Sequence, residues 1–278
     1  MKSIHIIEDT LPMAWEKAVI ECWEKGDGFR TQYDKDEDPE SKDVVAMIHV
    51  LNPMKDPRIH KAIPCGINDL ERYRNEVVLG VHDYLCDEDG NSTKWKYTYH
   101  SRLFAYTVGG RVVFHFDQID KVVEMLKKCG FTRRAQAITW QPPRDMASDD
   151  PPCLNRLWFR INNNKLNMNI HIRSNDAYKA AFLNMYAFTE LQKSVADRVG
   201  VEVGEYIHIA DSFHIYGSYF DEFKGFLDSI ENRSYEDRVC RTSDVQFLLV
   251  EGCDQLLSEN LPSDIRQLIE KRKKQLSN

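Results

Sequence analysis

The sequence predicts an α+β (α/β) fold, in which helices and strands alternate along the chain. Three observations support this prediction. The chain has 278 residues, of which 42% are apolar, enough to bury a sizeable core. Segments with helical apolar spacing follow segments in which apolar residues alternate with polar ones. Neither a repeat nor a break in composition divides the chain, so we expect a single domain over residues 1–278.

Five segments have the spacing of amphipathic helices, and two have the composition of strands. The first helix contains a proline in its opening turn, and three of the helices are followed by a glycine, which is a common helix stop. The predicted helices are 12–25, 67–78, 117–129, 175–199 and 219–231, and the predicted strands are 43–50 and 103–108. The charged, proline-containing segment 33–43 is expected to be a mobile loop.

Charge and hydropathy exclude several classes of partner. The net charge is −7, and the short basic cluster at 271–274 is not long enough to predict a DNA-binding surface. No apolar run is long enough to cross a bilayer, and the first residues lack the apolar stretch of a secretory signal. We therefore expect a cytoplasmic protein without membrane contact.

The seven cysteines are scattered and show no CxxC spacing. That distribution argues against zinc and against a redox pair, so no metal is expected. Most of these cysteines are expected to be buried thiols.

Residues 153–173 are predicted to form a β-hairpin. Three consecutive asparagines, 162–164, separate two segments of alternating apolar residues, and asparagine tolerates the backbone angles of tight turns. The apolar side of the first segment holds Leu157, Phe159 and Ile161, and that of the second holds Leu166, Met168, Ile170 and Ile172. A symmetric register about residue 163 places Cys153 opposite Arg173, with Cα atoms about 4.5–5.5 Å apart.

A thiol beside a permanent cation is expected to ionise more readily, and the thiolate is the nucleophilic form. Cys153 is therefore a candidate nucleophile. The alternative is a buried structural cysteine near a surface arginine, which is the commoner situation for an isolated cysteine. The two prolines before Cys153 and the Ser-Asn-Asp sequence after Arg173 are unusual for a purely structural hairpin.

The segment from Asp149 to Tyr216 resembles the catalytic half of the thymidylate synthase family, most closely its archaeal-type branch. It contains a Pro-Cys pair, the hairpin, an Arg-Ser-x-Asp sequence, an asparagine on the next helix and a His-x-Tyr strand, in that order. Each motif alone is common, and their joint occurrence carries the resemblance. It implies a mixed sheet surrounded by helices, with one sheet face forming a homodimer contact.

By resemblance, Cys153 adds to C6 of the pyrimidine of dUMP and turns C5 into a carbon nucleophile. The resemblance also implies that 5,10-methylenetetrahydrofolate supplies both the carbon and the hydride, without a metal. Tyr99 lies in a Tyr-Thr-Tyr sequence that resembles the family more loosely, and it is expected to take part in catalysis together with Arg173. The implied reaction is methyl transfer to give dTMP.

The phosphate of the nucleotide is expected to be bound by arginines, whose planar guanidinium groups match its oxygens. Resemblance assigns Arg173, Ser174 and Arg30 to this contact. It assigns Arg133 and Arg134 to the site of the partner subunit, although an isolated Arg-Arg pair is usually a solvated surface feature. An ordinary exposed arginine is an equal alternative for Arg30.

Resemblance also assigns the contacts to the base and the sugar. The carboxamide of Asn184 can accept a hydrogen bond from N3–H of uracil and donate one to O4, and Asp176 is expected to contact the base and the cofactor. His214 and Tyr216 are two residues apart, so on a strand they face the same side, where they would bind the 3′-hydroxyl. The alternative for this pair is a half-buried aromatic strand.

Some features depart from the family pattern. Leu154 follows the cysteine where many members have histidine, and no tryptophan is an evident partner for the folate, so His82 and Tyr84 are offered instead. Glu76 is preferred over Glu71 as the glutamate that handles protons. Because the chain end also lacks an apolar tail, a pyrimidine nucleotide hydroxymethylase is the first alternative, and a non-catalytic nucleotide- or RNA-binding homologue is the second.

Overall fold

A computed structural model describes residues 1–86, 95–107 and 115–277. The helices within these ranges are α1 (Leu11–Lys25), α2 (Ile67–Leu79), α3 (Tyr99–Phe104), α4 (Gln118–Lys128), α5 (Pro142–Asp145), α6 (Ala181–Val199), α7 (Phe220–Glu231), α8 (Tyr235–Arg238), α9 (Gln246–Leu257) and α10 (Ser263–Ser277). The strands are β1 (Ser3–Glu8), β2 (Asp27–Phe29), β3 (Ser41–Val50), β4 (Ile59–His60), β5 (Tyr106–Thr107), β6 (His115–Phe116), β7 (Gln136–Ile138), β8 (Leu154–Asn162), β9 (Lys165–Ile172), β10 (Asn175–Asp176), β11 (Glu202–Ile215) and β12 (Val239–Cys240).

Eight strands form one mixed sheet, in which the central order is β1-β3-β11-β9-β8-β7. Strand β2 pairs with β3, and β10 pairs with β11. The pairs β1–β3, β9–β11 and β10–β11 are parallel, whereas β3–β11, β8–β9, β7–β8 and β2–β3 are antiparallel. The expected mixed sheet with surrounding helices is therefore confirmed.

One face of the sheet carries the main core. Helices α1 and α6 lie against it, α2 packs on α6, and α9 and α10 follow outward. Helix α6 is buried around most of its circumference, and its buried residues include the polar Glu190 and Gln192. Helix α1 buries one face, which includes Leu11, Trp15 and Cys22.

The other face of the sheet is more exposed. A row of directly paired residues crosses it from Met47 on β3 through Ile209 on β11 and His171 on β9 to Arg156 on β8. Met47 is 40% exposed, and Ile7 on β1 is 50% exposed. Apolar side chains thus remain accessible on this face.

Two predicted elements differ from the structure. The strand predicted at 103–108 begins instead as the end of α3, because Thr98 and Ser101 form a reciprocal cap that starts a helix. Only Tyr106 and Thr107 are extended, and residue 108 lies outside the described residues. Most of that prediction is therefore wrong.

The helix predicted at 175–199 begins six residues later, at Ala181. Asn175 and Asp176 pair as a short strand with β11, and the Asp176 carboxylate accepts hydrogen bonds from the N–H groups of Tyr178 and Lys179. Such local side-chain bonds compete with helix formation. The segment is therefore held against the sheet next to His214, which its backbone pairs with.

In the charged segment around the start of β3, aspartate carboxylates accept hydrogen bonds from nearby residues. Asp34 accepts from the N–H of Thr31 and the hydroxyl of Ser41, and Asp38 accepts from the N–H of Lys35. These are turns in which aspartate side chains satisfy the backbone. The predicted mobility of this loop stays a prediction.

The described cysteines include all seven in the sequence, and every one is a free thiol. Three are buried and four, Cys153 among them, are partly exposed, so the expectation that most are buried is wrong. None of the helices in the described ranges is long and apolar enough to cross a membrane.

Candidate active site

The β8–β9 hairpin places Cys153 beside Arg173, as predicted. The backbone N–H of Arg173 donates to the carbonyl of Cys153 at 2.8 Å. The turn is tighter than expected: Asn163 and Asn164 both have positive φ, 49° and 59°, and Asn162 pairs with Lys165. A bulge between Leu154 and Arg156 shifts the register by one residue and restores the Cys153–Arg173 pairing.

Seven of the predicted site residues line one cavity of about 320 Å³, a volume within the range of small-molecule sites. They come from the hairpin, the β10 segment, α3, α6 and the end of β11. These residues are Tyr99, Cys153, Ser174, Asp176, Asn184, His214 and Tyr216. Sequence positions 117 residues apart, at the two ends of this set, are therefore brought to one site.

Arg173 does not share this cavity surface. Its guanidinium donates to the carbonyls of Pro151 and Pro152 at 2.7 and 3.1 Å, and it lines a separate groove with Arg156 and Trp140. Its charge favours the Cys153 thiolate, but burial has the larger effect and Asp150 adds to it, so the pKa of the Cys153 thiol is raised. Arg173 therefore favours the thiolate as expected, but in the free protein its charge does not offset burial.

Three tyrosines surround the thiol. The hydroxyl of Tyr99 accepts a hydrogen bond from the Leu154 N–H at 3.3 Å, and burial raises the pKa of Tyr73, Tyr97 and Tyr99. All three hydroxyls are therefore neutral at physiological pH and can act as donors. Tyr99 was predicted from the sequence, whereas Tyr73 was not.

Tyr73 orients the amide of Asn184. Its hydroxyl donates to Oδ1 of Asn184 at 2.6 Å, and Asn184 is only 6% exposed. With Oδ1 engaged in this way, Nδ2 remains as a donor, which suits a carbonyl oxygen. Nothing in the sequence spacing indicates the contact, because the partners are 111 positions apart.

The opposite wall of the cavity is held by a chain of polar contacts. The hydroxyl of Ser212 donates to Asp43 at 2.6 Å and lies 3.1 Å from Nδ1 of His214. The His214 ring packs edge-on against Tyr216, with centroids 4.6 Å apart. Burial raises the pKa of Tyr216 to about 12, so its hydroxyl is also neutral.

A second cavity, of about 370 Å³, shares Tyr73 and Tyr99 with the first. Its other lining residues are Glu76, Trp95, Lys96, Tyr97, Thr98 and Asp150. Glu71, the less favoured alternative to Glu76, is fully buried and bound to Arg272 at 2.7 and 3.0 Å. Of these two glutamates, Glu76 is therefore the one that lines a cavity.

Trp95 was not predicted from the sequence. It lines the second cavity, and its ring lies against the imidazole of His82, with centroids 5.1 Å apart. His82 itself is not one of the residues that line this cavity; its ring nitrogens contact Glu76 and Glu259. Tyr84 lines a different cavity, with Cys86 and Arg144.

Three predicted phosphate ligands lie away from the first cavity within the described protomer. Arg30 is exposed and donates to the carbonyl of Lys35 at 2.9 Å. Arg133 and Arg134 are exposed in the loop between α4 and β7, at the far edge of the sheet. The structure therefore does not bring these arginines to the cavity of their own chain.

No group of three or more His, Cys, Asp and Glu side chains in the described residues is arranged to hold a metal ion. The two adjoining cavities present a thiol, tyrosine hydroxyls, an amide, an imidazole and a glutamate, among other groups. Such a set can form a covalent bond to an electrophilic carbon and hydrogen bonds to a planar polar ring.

Comparison with known proteins identifies the family. The family model for thymidylate synthase matches residues 75–239. The "Putative thymidylate synthase" of Methanocaldococcus jannaschii is 34% identical over 175 residues, which cover 61% of this chain and 72% of that protein. The protein of the same name from Methanothermobacter thermautotrophicus is 42% identical over 121 residues, covering 43% of this chain and 54% of that protein.

The matched region thus spans about half the length of the Methanothermobacter thermautotrophicus relative. Thermostable thymidylate synthase A from Bacillus subtilis has a similar fold, with a TM-score of 0.61 over 79% of this chain and 84% of that one, at 20% identity. The family match, the archaeal relatives and the shared fold agree. This chain belongs to the thymidylate synthase family.

Proposed function

We propose that the protein is a thymidylate synthase that methylates dUMP to dTMP with 5,10-methylenetetrahydrofolate. The observation that carries this proposal is the convergence of Cys153, Asn184, His214 and Tyr216 on one cavity. A cysteine able to bond to a ring carbon and an amide able to read the ring edge are what the reaction requires. The family membership supports the same reaction.

In this proposal, the Cys153 sulfur adds to C6 of uracil. Asn184 Nδ2 donates to O4, and this contact is pre-oriented by Tyr73. Because the amide position offers a donor, a cytosine amino group would bind less well there. Asp176 contacts the base, and His214 and Tyr216 bind the 3′-hydroxyl of the sugar.

The Cys153 thiol is protonated in the free protein, because burial raises its pKa. The S–H bond therefore breaks as the sulfur bonds to C6, and the proton passes to the pyrimidine, where the addition places negative charge on C5 and O4. Arg173, with Ser174, would reach the phosphate after its bonds to Pro151 and Pro152 adjust. Arg30 would join them by movement of its turn.

The second cavity suits the folate. Its aromatic rings, Trp95 and Tyr97 among them, can stack on a flat heterocycle, and Asp150 and Glu76 can accept hydrogen bonds from its nitrogens. The bound folate would supply the one-carbon unit and the hydride. Glu76 would exchange protons near the pyrimidine carbonyl, since its cavity adjoins that of Cys153 through Tyr73 and Tyr99.

We further propose that the more exposed sheet face forms a homodimer, through which Arg133 and Arg134 of one subunit complete the phosphate site of the other. Exposed apolar side chains on that face, such as Ile7 and Met47, support this arrangement.

Co-expression of two inactive variants tests the shared site. Cys153→Ser and the double variant Arg133→Ala/Arg134→Ala should regain activity when they assemble together, because one of the two mixed sites then has all its groups. Cys153→Ser with Asn184→Ala is the matched control and should stay inactive, since both residues belong to the same protomer's cavity. A monomer by light scattering, or no recovery in the first pair, would contradict the shared site.

The reaction itself is tested by tritium release from [5-³H]dUMP in the presence of methylenetetrahydrofolate, with the product identified by mass. Release with a methyl product is the expected result. A hydroxymethyl product would instead establish the nucleotide hydroxymethylase, and neither release nor nucleotide binding would favour a non-catalytic homologue.

A further inference from the structure

His82 lies between two carboxylates. Its Nδ1 is 3.1 Å from Oε2 of Glu76, and its Nε2 is 3.2 Å from Oε2 of Glu259. A neutral imidazole carries one N–H, so it can donate to only one of these oxygens. Both contacts are attractive only when the ring is an imidazolium, and the arrangement therefore corresponds to the charged form.

The surroundings of His82 support that form. Its side chain is 12% exposed, which disfavours a charge, but the hydrogen bond to Glu76 has the largest effect, and Glu259 adds to it, so the pKa of His82 is raised. The Trp95 ring covers one side of the imidazole. Among the charged groups nearby are also Arg72, which binds Oε1 of Glu259 at 3.2 Å, and Lys96 and Asp150, which line the Glu76 cavity with it.

Glu259 lies outside the part of the chain that matches the family model, residues 75–239. It follows α9, which packs on α2, and α2 also carries Glu76. Arg72 holds Glu259 from one side and His82 holds it from the other. The C-terminal segment therefore contacts the glutamate at the candidate site through a single imidazole.

We propose that His82 is a positioning residue for Glu76, and that Glu259 keeps His82 in its doubly hydrogen-bonded form. The inference rests on the proposed function, in which Glu76 exchanges protons near the pyrimidine. With Oε2 of Glu76 bound to His82, Oε1 is the oxygen presented to substrate. The C-terminal helical segment thereby sets the pH range over which Glu76 is held in place.

The test compares Glu259→Gln with Glu251→Gln, a neighbouring change on α9 whose side chain contacts Gln255. The titration of His82 is followed by NMR, with its signal assigned from a His82→Gln variant. Glu259→Gln should lower the titration midpoint by about one pH unit, because one of the two carboxylates that stabilise the imidazolium becomes a neutral amide. Glu251→Gln should leave it unchanged.

Activity supplies the second measurement. A histidine stays protonated below its pKa and loses the proton as the pH rises through that value. When Glu259→Gln lowers the pKa of His82, the alkaline limb of kcat should therefore move to lower pH by the same shift. KM for dUMP should stay within about two-fold, because Glu259 does not line the nucleotide cavity.

If the titration midpoint of His82 did not move in Glu259→Gln, the claim that Glu259 holds His82 in its charged form would be overturned. If the midpoint moved but the pH profile of kcat did not, the positioning role of His82 would be overturned. If the unmodified protein released no tritium, the proposed function would fail instead. The NMR titration of the same variants would then still decide whether Glu259 holds His82 in its charged form.

Discussion

Replacing Cys153 by serine is expected to abolish turnover of dUMP, lowering kcat by about 10⁴-fold or more. The serine hydroxyl has nearly the size of the thiol, so the cavity and the hairpin should keep their shape. It ionises far less readily, however, and the neighbouring guanidinium of Arg173 already fails to offset burial even for the more acidic thiol. The measurement is tritium release from [5-³H]dUMP.

Cys129→Ser is the matched control, because Cys129 is also a partly exposed free thiol but lies at the end of α4. It should retain full activity. Intact-mass analysis with 5-fluoro-dUMP and the folate should show a covalent adduct in the unmodified protein and in Cys129→Ser. An adduct that persists in Cys153→Ser would show that another residue is the nucleophile.

Replacing Glu190 by glutamine is expected to destabilise the fold by about 3–5 kcal/mol. Glu190 is buried on α6, with Arg58 at 2.5 Å, Arg74 at 3.6 Å and Arg272 at 4.0 Å from its oxygens. The amide would leave three buried guanidinium groups without this carboxylate, and of the three only Arg272 is paired with Glu71 in the described residues. Urea unfolding measures the loss, and the exposed Glu231→Gln serves as control.

The same cluster predicts a pH dependence. Burial alone would raise the pKa of Glu190, but Arg58, Arg74 and Arg272 outweigh it and lower the pKa to about 2. A carboxyl group whose folded-state pKa is lowered stabilises the fold fully above its unfolded pKa of about 4.5, and this contribution disappears as the pH falls toward 2. The Glu190→Gln variant should therefore lose less stability than the unmodified protein between these two pH values. Equal losses would contradict the assigned pKa.

Much of the fold was predictable because its signals are local. The alternating apolar residues of β8 and β9 and the three asparagines between them indicate a hairpin directly, and the helices α1, α2, α4 and α7 have bounds within one or two residues of those predicted. The failures have local causes of another kind. The cap at Thr98 and the turn at Asp176 are made by side chains that bond to the backbone, and apolar spacing does not show them.

Some residues of the candidate site could likewise be predicted from the sequence, and others could not. Cys153, Asn184 and His214 lie in the continuous stretch that resembles the family, and the structure brings them together. Tyr73, Trp95 and the contact of His82 with Glu259 depend on tertiary packing, the last across 177 positions. Sequence spacing does not indicate such contacts. Arg133 and Arg134, which are expected to serve a partner subunit, are exposed at the far edge of the sheet.

The bulge at the start of β8 has a consequence for the length of the hairpin. Leu154 and Leu157 are both buried although they are three positions apart, because the bulge takes up the extra residue. Deleting Asn155 would preserve every side chain named in the site but draw Cys153 along the strand by about 3.3 Å. A displacement of about 1 Å can already cost roughly 100-fold in rate. We therefore expect the start of β8 to tolerate substitutions far better than insertions or deletions.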